Sequence, residues 1–162
     1  MVKEIQLTQG KVALVDDADY EWLNQWKWCA NNQHGHWYAH RGYRVNGKNQ
    51  IVTMHALILG TPKGMDSDHK DGEGLNNQRQ NLRVCTTAQN QQNRRVQLSA
   101  KSSMFKGVCW DKENKKWLSQ IGIAGIQRKL GRFTSEIQAA LAYDRAAKKY
   151  FGEFANLNFI EV

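Results

Sequence analysis

"DSDHKDGEGLNNQRQNLRVCTTAQNQQN", residues 66–93, carries an aspartate–histidine pair and a crowd of asparagines and glutamines, with almost no apolar side chains. It lies between two stretches whose hydrophobic patterns plainly fold, so a packed core does not account for its composition. Read locally, "DSDH" ends a short strand, "KDGEGLNNQRQ" forms the returning loop and "NLRVCT" supplies a second strand. Thr86 or Thr87 then caps a helix through "AQNQQNRR". That helix lacks an apolar stripe and is full of poor helix formers, which suits a surface facing metal and phosphate better than one facing a core.

The polar residues of this stretch have a definite chemistry. Asn81 follows His69 by 12 residues and Asn90 follows it by 21. Hydrolysing a phosphodiester near neutral pH requires an activated water and a cation to stabilise the developing negative charge. Histidine is the natural base in that range. A hard divalent ion wants oxygen ligands, which an Asp carboxylate and an Asn amide both offer; Mg²⁺ and Mn²⁺ suit them equally.

On the N-terminal side, residues 1–59 read as strands and turns around one short helix. "IQLTQGKVALV" suggests two strands joined at Gly10, and "DDADYEWLNQW" a helix capped by Asp16 or Asp17 with Tyr20, Leu23 and Trp26 at helical spacing. Asn46-Gly47 signals a hairpin turn, and His55 to Leu59 is compatible with a helical turn. Trp22, Trp26, Trp28 and Trp37 read as core. His34, His36 and His40 share one strand face by parity, yet without cysteine or carboxylate partners they read as a polar hairpin edge. His55 reads as a packed or hydrogen-bonded histidine, and Asn93 competes with Asn90 as a ligand.

On the C-terminal side, residues 94–103 read as a basic linker, with Arg94 and Arg95 placed to lie along a phosphate backbone. "MFKGVCW", "KWLSQIGI" and "QRKLGRF" are strand candidates. "TSEIQAALAYDRAAKKYFG" is a helix capped by Thr134 or Ser135 and stopped at Gly152, with Ile137, Ala140, Leu141 and Ala147 on one face. Residues 104–133 hold seven basic and two acidic side chains; residues 134–162 hold three basic and four acidic. The sheet is therefore basic where the helix side is not, leaving one sheet face to meet phosphate.

The fold class expected is α+β. A β-rich module with the strand–loop–strand–helix centre occupies 1–93, the linker 94–103, and a three-stranded antiparallel sheet on one helix 104–162. The bulk numbers fit a globular chain of 162 residues, 41% hydrophobic, whose net charge of +8 favours polyanion partners, nucleic acid first and an anionic membrane second. Three widely spaced cysteines without a CxxC pair argue against a disulfide framework or a cysteine zinc site. The N-terminus lacks a signal-like apolar run and no stretch approaches membrane-spanning length. A reducing, cytoplasmic setting is expected.

"MHALILG", "DHKDGEGLNNQRQNLRV" and "TTAQNQQN" resemble the HNH endonucleases, specifically the homing-type branch of phages and introns. The resemblance implies a metal-dependent nuclease of double-stranded DNA with a ββα-metal centre, and a bacterial or phage-infected cell as its host. His69 would activate water, Asp68 and Asn90 would hold the divalent metal, and Asn81 would brace the loop and orient His69. One such centre per chain implies nicking, or a homodimer where both strands are cut. "KGVCW", "KWLSQI", "LGRF" and "EIQAALAYDRAAKKYFGEFANLNF" resemble the plant ethylene-response-factor (apetala-two) DNA-binding domain. This implies a sheet in the major groove, with Lys106, Trp110, Lys112, Gln120, Gln127 and Lys129 facing it. Gly122 stands where the plant domains carry an arginine, so their sequence preference does not transfer. Two rivals are a non-catalytic DNA-binding regulator and an RNA-binding module; retention of every polar residue of the centre argues against the former.

Overall fold

The structure, a computed structural model, describes residues 1–33, 35–93 and 102–159. His34, Arg94, Arg95 and Lys101, and with them most of the expected linker, lie outside the described residues. The protein is α+β, and the chain forms two compact units, Met1–Asn90 and Gln91–Val162.

In the first unit β1 (Val2–Gln6) and β2 (Val12–Asp16) form an antiparallel ribbon, followed by α1 (Asp17–Asn24). Strands β3 (Cys29–Gln33), β4 (His36–Val45) and β5 (Lys48–Thr53) make a three-stranded meander in that order. Asn46 and Gly47 both take positive φ (50° and 75°), which matches a two-residue hairpin loop to the strands' right-handed twist. Helix α2 (Met54–Leu59) comes next, ending on left-handed Gly60. Then β6 (Asp66–His69) pairs antiparallel with β7 (Leu82–Cys85), ahead of α3 (Thr87–Asn93).

One core serves this unit. Ile5, Ala13, Val15, Leu23, Trp28, Ala39, Met54, Ile58 and Leu82 are buried together, with Trp22, Trp26 and Trp37 packed around them. The tryptophans are core as expected, and α2 is the helical alternative at residues 55–59. Apolar burial at roughly 25 cal/mol per Å² is what fixes the two histidine-bearing elements, α2 and β6, against the sheets.

In the second unit β8 (Val108–Asp111), β9 (Lys116–Ile123) and β10 (Ile126–Phe133) form an antiparallel sheet ordered β10-β9-β8, followed by α4 (Glu136–Phe151). The first strand is shorter than "MFKGVCW" suggested, beginning only at Val108. The buried face of α4 also differs from the expected one. Ala139, Ala140, Tyr143, Asp144, Ala147 and Phe151 are buried, whereas Ile137 and Leu141 are exposed. Alanines let the helix backbone approach the sheet closely, and that contact outranks the larger apolar side chains in choosing the face. Asp144 is paired within this face: its carboxylate accepts from the backbone N–H groups of Asn158 and Phe159, at 2.9 and 3.0 Å, and clasps the C-terminal tail.

Candidate functional site

Residues 70–81 answer why so many asparagines sit mid-chain: they replace a core with hydrogen bonds. Asn81 is the knot. Its Oδ1 accepts from the Asp71 N–H at 3.1 Å, and its Nδ2 donates to Asp71 Oδ1 at 2.9 Å and to the Asn76 carbonyl at 2.8 Å. Asp71 in turn accepts from the Glu73 N–H (2.8 Å) and from Asn76 Nδ2 (2.7 Å). The loop is also pinned to β2 and α1. Asn77 N–H donates to the Leu14 carbonyl at 2.7 Å, and Arg79 forks onto Asp19 with two 2.7 Å bonds. Gly74 is required where it stands, because a Cβ there would run into the Trp37 carbonyl and the Tyr38 ring.

His69 closes β6 and is buried. Its ring centroid lies 4.8 Å from that of His55, nearly perpendicular at 84°, and 6.0 Å from that of Tyr38. Its Nε2 meets Asn77 Oδ1 at 3.4 Å. Burial lowers the His69 pKa below its ordinary 6.5, against opposing pulls from Asn77, Asp71 and Asp68, so the ring is neutral near pH 7. His55, on α2, is held by Thr53 Oγ1 through Nε2 at 2.9 Å. Burial, then the neighbouring His69, takes its pKa down to about 3.

Alternation puts Asp66 and Asp68 on one face of β6 and Ser67 and His69 on the other. Asp68 is buried opposite Arg83 of β7, whose Nε and Nη2 both reach its Oδ2, at 2.9 and 2.7 Å. Cys85 pairs with Asp66, and its thiol is pushed up to about 11 by burial and by the Asp68 and Asp66 carboxylates. On α3, Thr86 and Gln89 form a reciprocal capping box that fixes the first turn. Asn90 follows at once, and its Nδ2 donates to Asp66 Oδ2 at 3.3 Å.

The structure thus brings Asn90 to the carboxylate-bearing face of β6, with Asp66 as its direct partner. Sequence reasoning named Asp68, His69, Asn81 and Asn90 and passed over Asp66, Asn77, Arg83 and Tyr38. The signal for Asp66 was present, since it lies two residues before Asp68 and so shares its strand face. Nothing local pointed to Arg83 or Tyr38. Asn93 is buried, and its carbonyl accepts from Asn156 Nδ2 at 2.8 Å.

Among the described residues no three His, Cys, Asp or Glu side chains form a self-sufficient metal cage. This face nonetheless carries two carboxylates, and the Asn90 amide, which meets Asp66 through its Nδ2, could offer its oxygen once turned over. That set fits a hard divalent cation that takes its remaining ligands from phosphate and water. Arg83 already sets a positive charge on Asp68, so a cation there would share or displace the guanidinium.

In the second unit, Trp117, Ile121 and Ile123 pack toward the α4 side. Cross-strand register then assigns the opposite face. Gln120 pairs with Lys129 and Gly122 with Gln127, so these side chains share the sheet face away from α4. Trp110 departs from expectation. It pairs directly with Trp117 on the α4 side, their rings 5.0 Å apart, because its parity along β8 matches buried Val108. Lys112 is exposed in the β8–β9 turn, and Lys106 donates to the Gln92 carbonyl at 2.6 Å.

The pattern of the HNH endonuclease family matches residues 56–92, which span α2, β6, the asparagine loop, β7 and most of α3. The chain is 33% identical over 159 residues to an uncharacterized HNH endonuclease of Acanthamoeba polyphaga mimivirus, covering 94% of this chain and 78% of that protein. It is 31% identical over 94 residues to protein 3.8 of Escherichia phage T7, covering 58% of this chain and 76% of that protein. An AP2-like ethylene-responsive transcription factor of Arabidopsis thaliana is 43% identical over 61 residues, or 38% of this chain but only 13% of that protein. The chain belongs to the HNH endonuclease family.

Proposed function

We propose that the chain is a metal-dependent HNH endonuclease of the homing type that hydrolyses phosphodiester bonds in double-stranded DNA. The observation that carries this reading is the arrangement around β6: a buried neutral imidazole at its end, and on its other face two carboxylates, one of which, Asp66, accepts from the α3 amide. His69 takes a proton from water as the oxygen attacks phosphorus, and the P–O bond to the leaving sugar oxygen breaks. Asp68 and Asn90, with Asp66 beside them, would hold Mg²⁺ or Mn²⁺. A cation bound there supplies positive charge to the phosphate oxygens as negative charge builds. Asn81 keeps closed the loop that follows His69, bracing the end of β6 that carries it.

The second unit serves as the targeting module. Its likeness to apetala-two domains and its basic sheet support docking on duplex DNA through the face carrying Gln120, Gln127 and Lys129, with Lys112 at its edge. Lys106, Arg94 and Arg95 would add phosphate contacts. The test is nicking of plasmid DNA by the full chain with Mg²⁺ and with EDTA. Cleavage requires the metal, and His69→Ala lowers the rate at least ~100-fold while DNA affinity stays within about twofold, as loss of a general base predicts. Full activity of His69→Ala removes His69 from the mechanism.

A further inference from the structure

Strand β4 runs on past the end of β3. β3 pairs with it as far as His40, and residues 42–45 then pair with β5 through the Asn46-Gly47 turn. The outcome is a two-stranded ribbon whose residues 42–51 are all exposed. Such a ribbon gains little from burial and is marginal in water by itself. This one nonetheless holds Tyr43, Val45 and, at 71% exposure, Ile51 in solvent. It is stiffened at its root, where the Arg41 guanidinium lies 4.1 Å from the Trp26 ring centroid and 5.7 Å from that of Tyr43. Its surroundings carry charge of one sign. Between Glu21 and Asp66 the sequence has no acidic residue, whereas Lys27, Arg41, Arg44, Lys48 and Lys63 are basic.

Alternation ties the ribbon to the site. Tyr38, whose ring centroid stands 6.0 Å from that of His69, shares a strand face with His40, Gly42 and Arg44. Cross-strand register adds Asn49, Ile51 and Thr53 to that face, and Thr53 is the residue that holds His55. One sheet face therefore runs from the histidines to the ribbon's tip. From Tyr38 to Arg44, at about 3.4 Å per residue, it covers roughly 20 Å, or about six base pairs of duplex. A two-stranded ribbon also fits the width of the major groove.

We propose that the β4–β5 ribbon is a DNA-binding arm that lies in the major groove beside the cleavage point. This rests on the nuclease reading above and names where its first unit grips the duplex. Arg44 and Lys48, on opposite faces near the turn, meet phosphates along the groove. Asn49 faces the base edges from the site side, with an amide that both donates and accepts. Duplex DNA is favoured over a protein partner because the ribbon is basic and rich in amides and carries no acid.

The test is binding of the full chain to a fluorescent random-sequence duplex at several salt concentrations, with photo-cross-linking beside it. The double variant Arg44→Gln with Lys48→Gln lowers the slope of log affinity against log salt by about two and weakens binding at least ~fivefold at physiological salt. Ile51→p-benzoylphenylalanine cross-links to the duplex, whereas the same group at Ile137, exposed on α4, does not. Methyl green, which occupies the major groove, suppresses that cross-link, and the minor-groove binder distamycin leaves it; the reverse order overturns the groove assignment. An unchanged slope in the folded double variant overturns the arm. So does the absence of DNA cross-links from position 51, which decides the matter even where the double variant fails to fold. Cross-links between two copies of the chain, with the slope unchanged, overturn it in favour of a protein interface. An altered slope without metal-dependent nicking leaves the arm standing and sinks only the hydrolytic reading, and nicking with an unchanged slope sinks only the arm.

Discussion

Asp68 and Arg83 show how a polar centre is kept inside a small protein. Both side chains are nearly buried, at 7% and 10% exposure, and their ion pair offsets much of the cost of taking two charges out of water. Truncating Arg83 to leucine removes the guanidinium from a buried carboxylate, so we expect a loss of about 3–5 kcal/mol in urea unfolding. The histidines carry a different liability. The unfolded chain protonates His55 at its ordinary 6.5, whereas in the fold the ring resists protonation down to about 3. Between those values the unfolded state binds more protons, so acid favours unfolding and stability falls as pH drops through that window. Urea midpoints measured across it should decline more steeply for wild type than for His55→Phe.

Among the elements, α4 is the clearest example of a helix whose face is chosen by what it packs against. Its stripe of alanines admits the sheet at close range, and Ala140 has no exposed surface. Ala140→Leu should therefore cost about 1–3 kcal/mol through overpacking. Ile137, 55% exposed, should accept alanine within about 0.5 kcal/mol, although it is the more hydrophobic residue. Thermal unfolding of the two variants separates these outcomes. Helix α3 obeys a different rule: its capping box and its Asn90–Asp66 bond anchor it where an apolar stripe is missing.

For the whole molecule, the proposed division of labour follows charge. Residues 104–133 carry seven basic side chains against two acidic, with Lys129 on the sheet face away from α4, so on the proposed reading duplex affinity should fall steeply with salt. Lys129→Gln should reduce the slope of log affinity against log salt by about one and weaken binding to all sequences alike. A titration at several salt concentrations tests this, and an unchanged slope would take Lys129 off the phosphate backbone.

What could be read from the chain alone was whatever depends on neighbours a few residues apart. The Asn46-Gly47 hairpin, the strand–loop–strand–helix of residues 66–93, α4 between Ser135 and Gly152, and the α+β class all follow from local periodicity and turn chemistry. The tertiary structure alone decided which polar groups meet. Arg83 reaches Asp68 across 15 residues and Asn90 reaches Asp66 across 24, while His55 and Asn77 converge on His69 from α2 and the loop. It also paired Trp110 with Trp117 and left Ile137 and Leu141 of α4 exposed. The reason is physical: backbone propensity is set within a turn or two of chain, but burial and pairing depend on which distant element arrives to exclude the water.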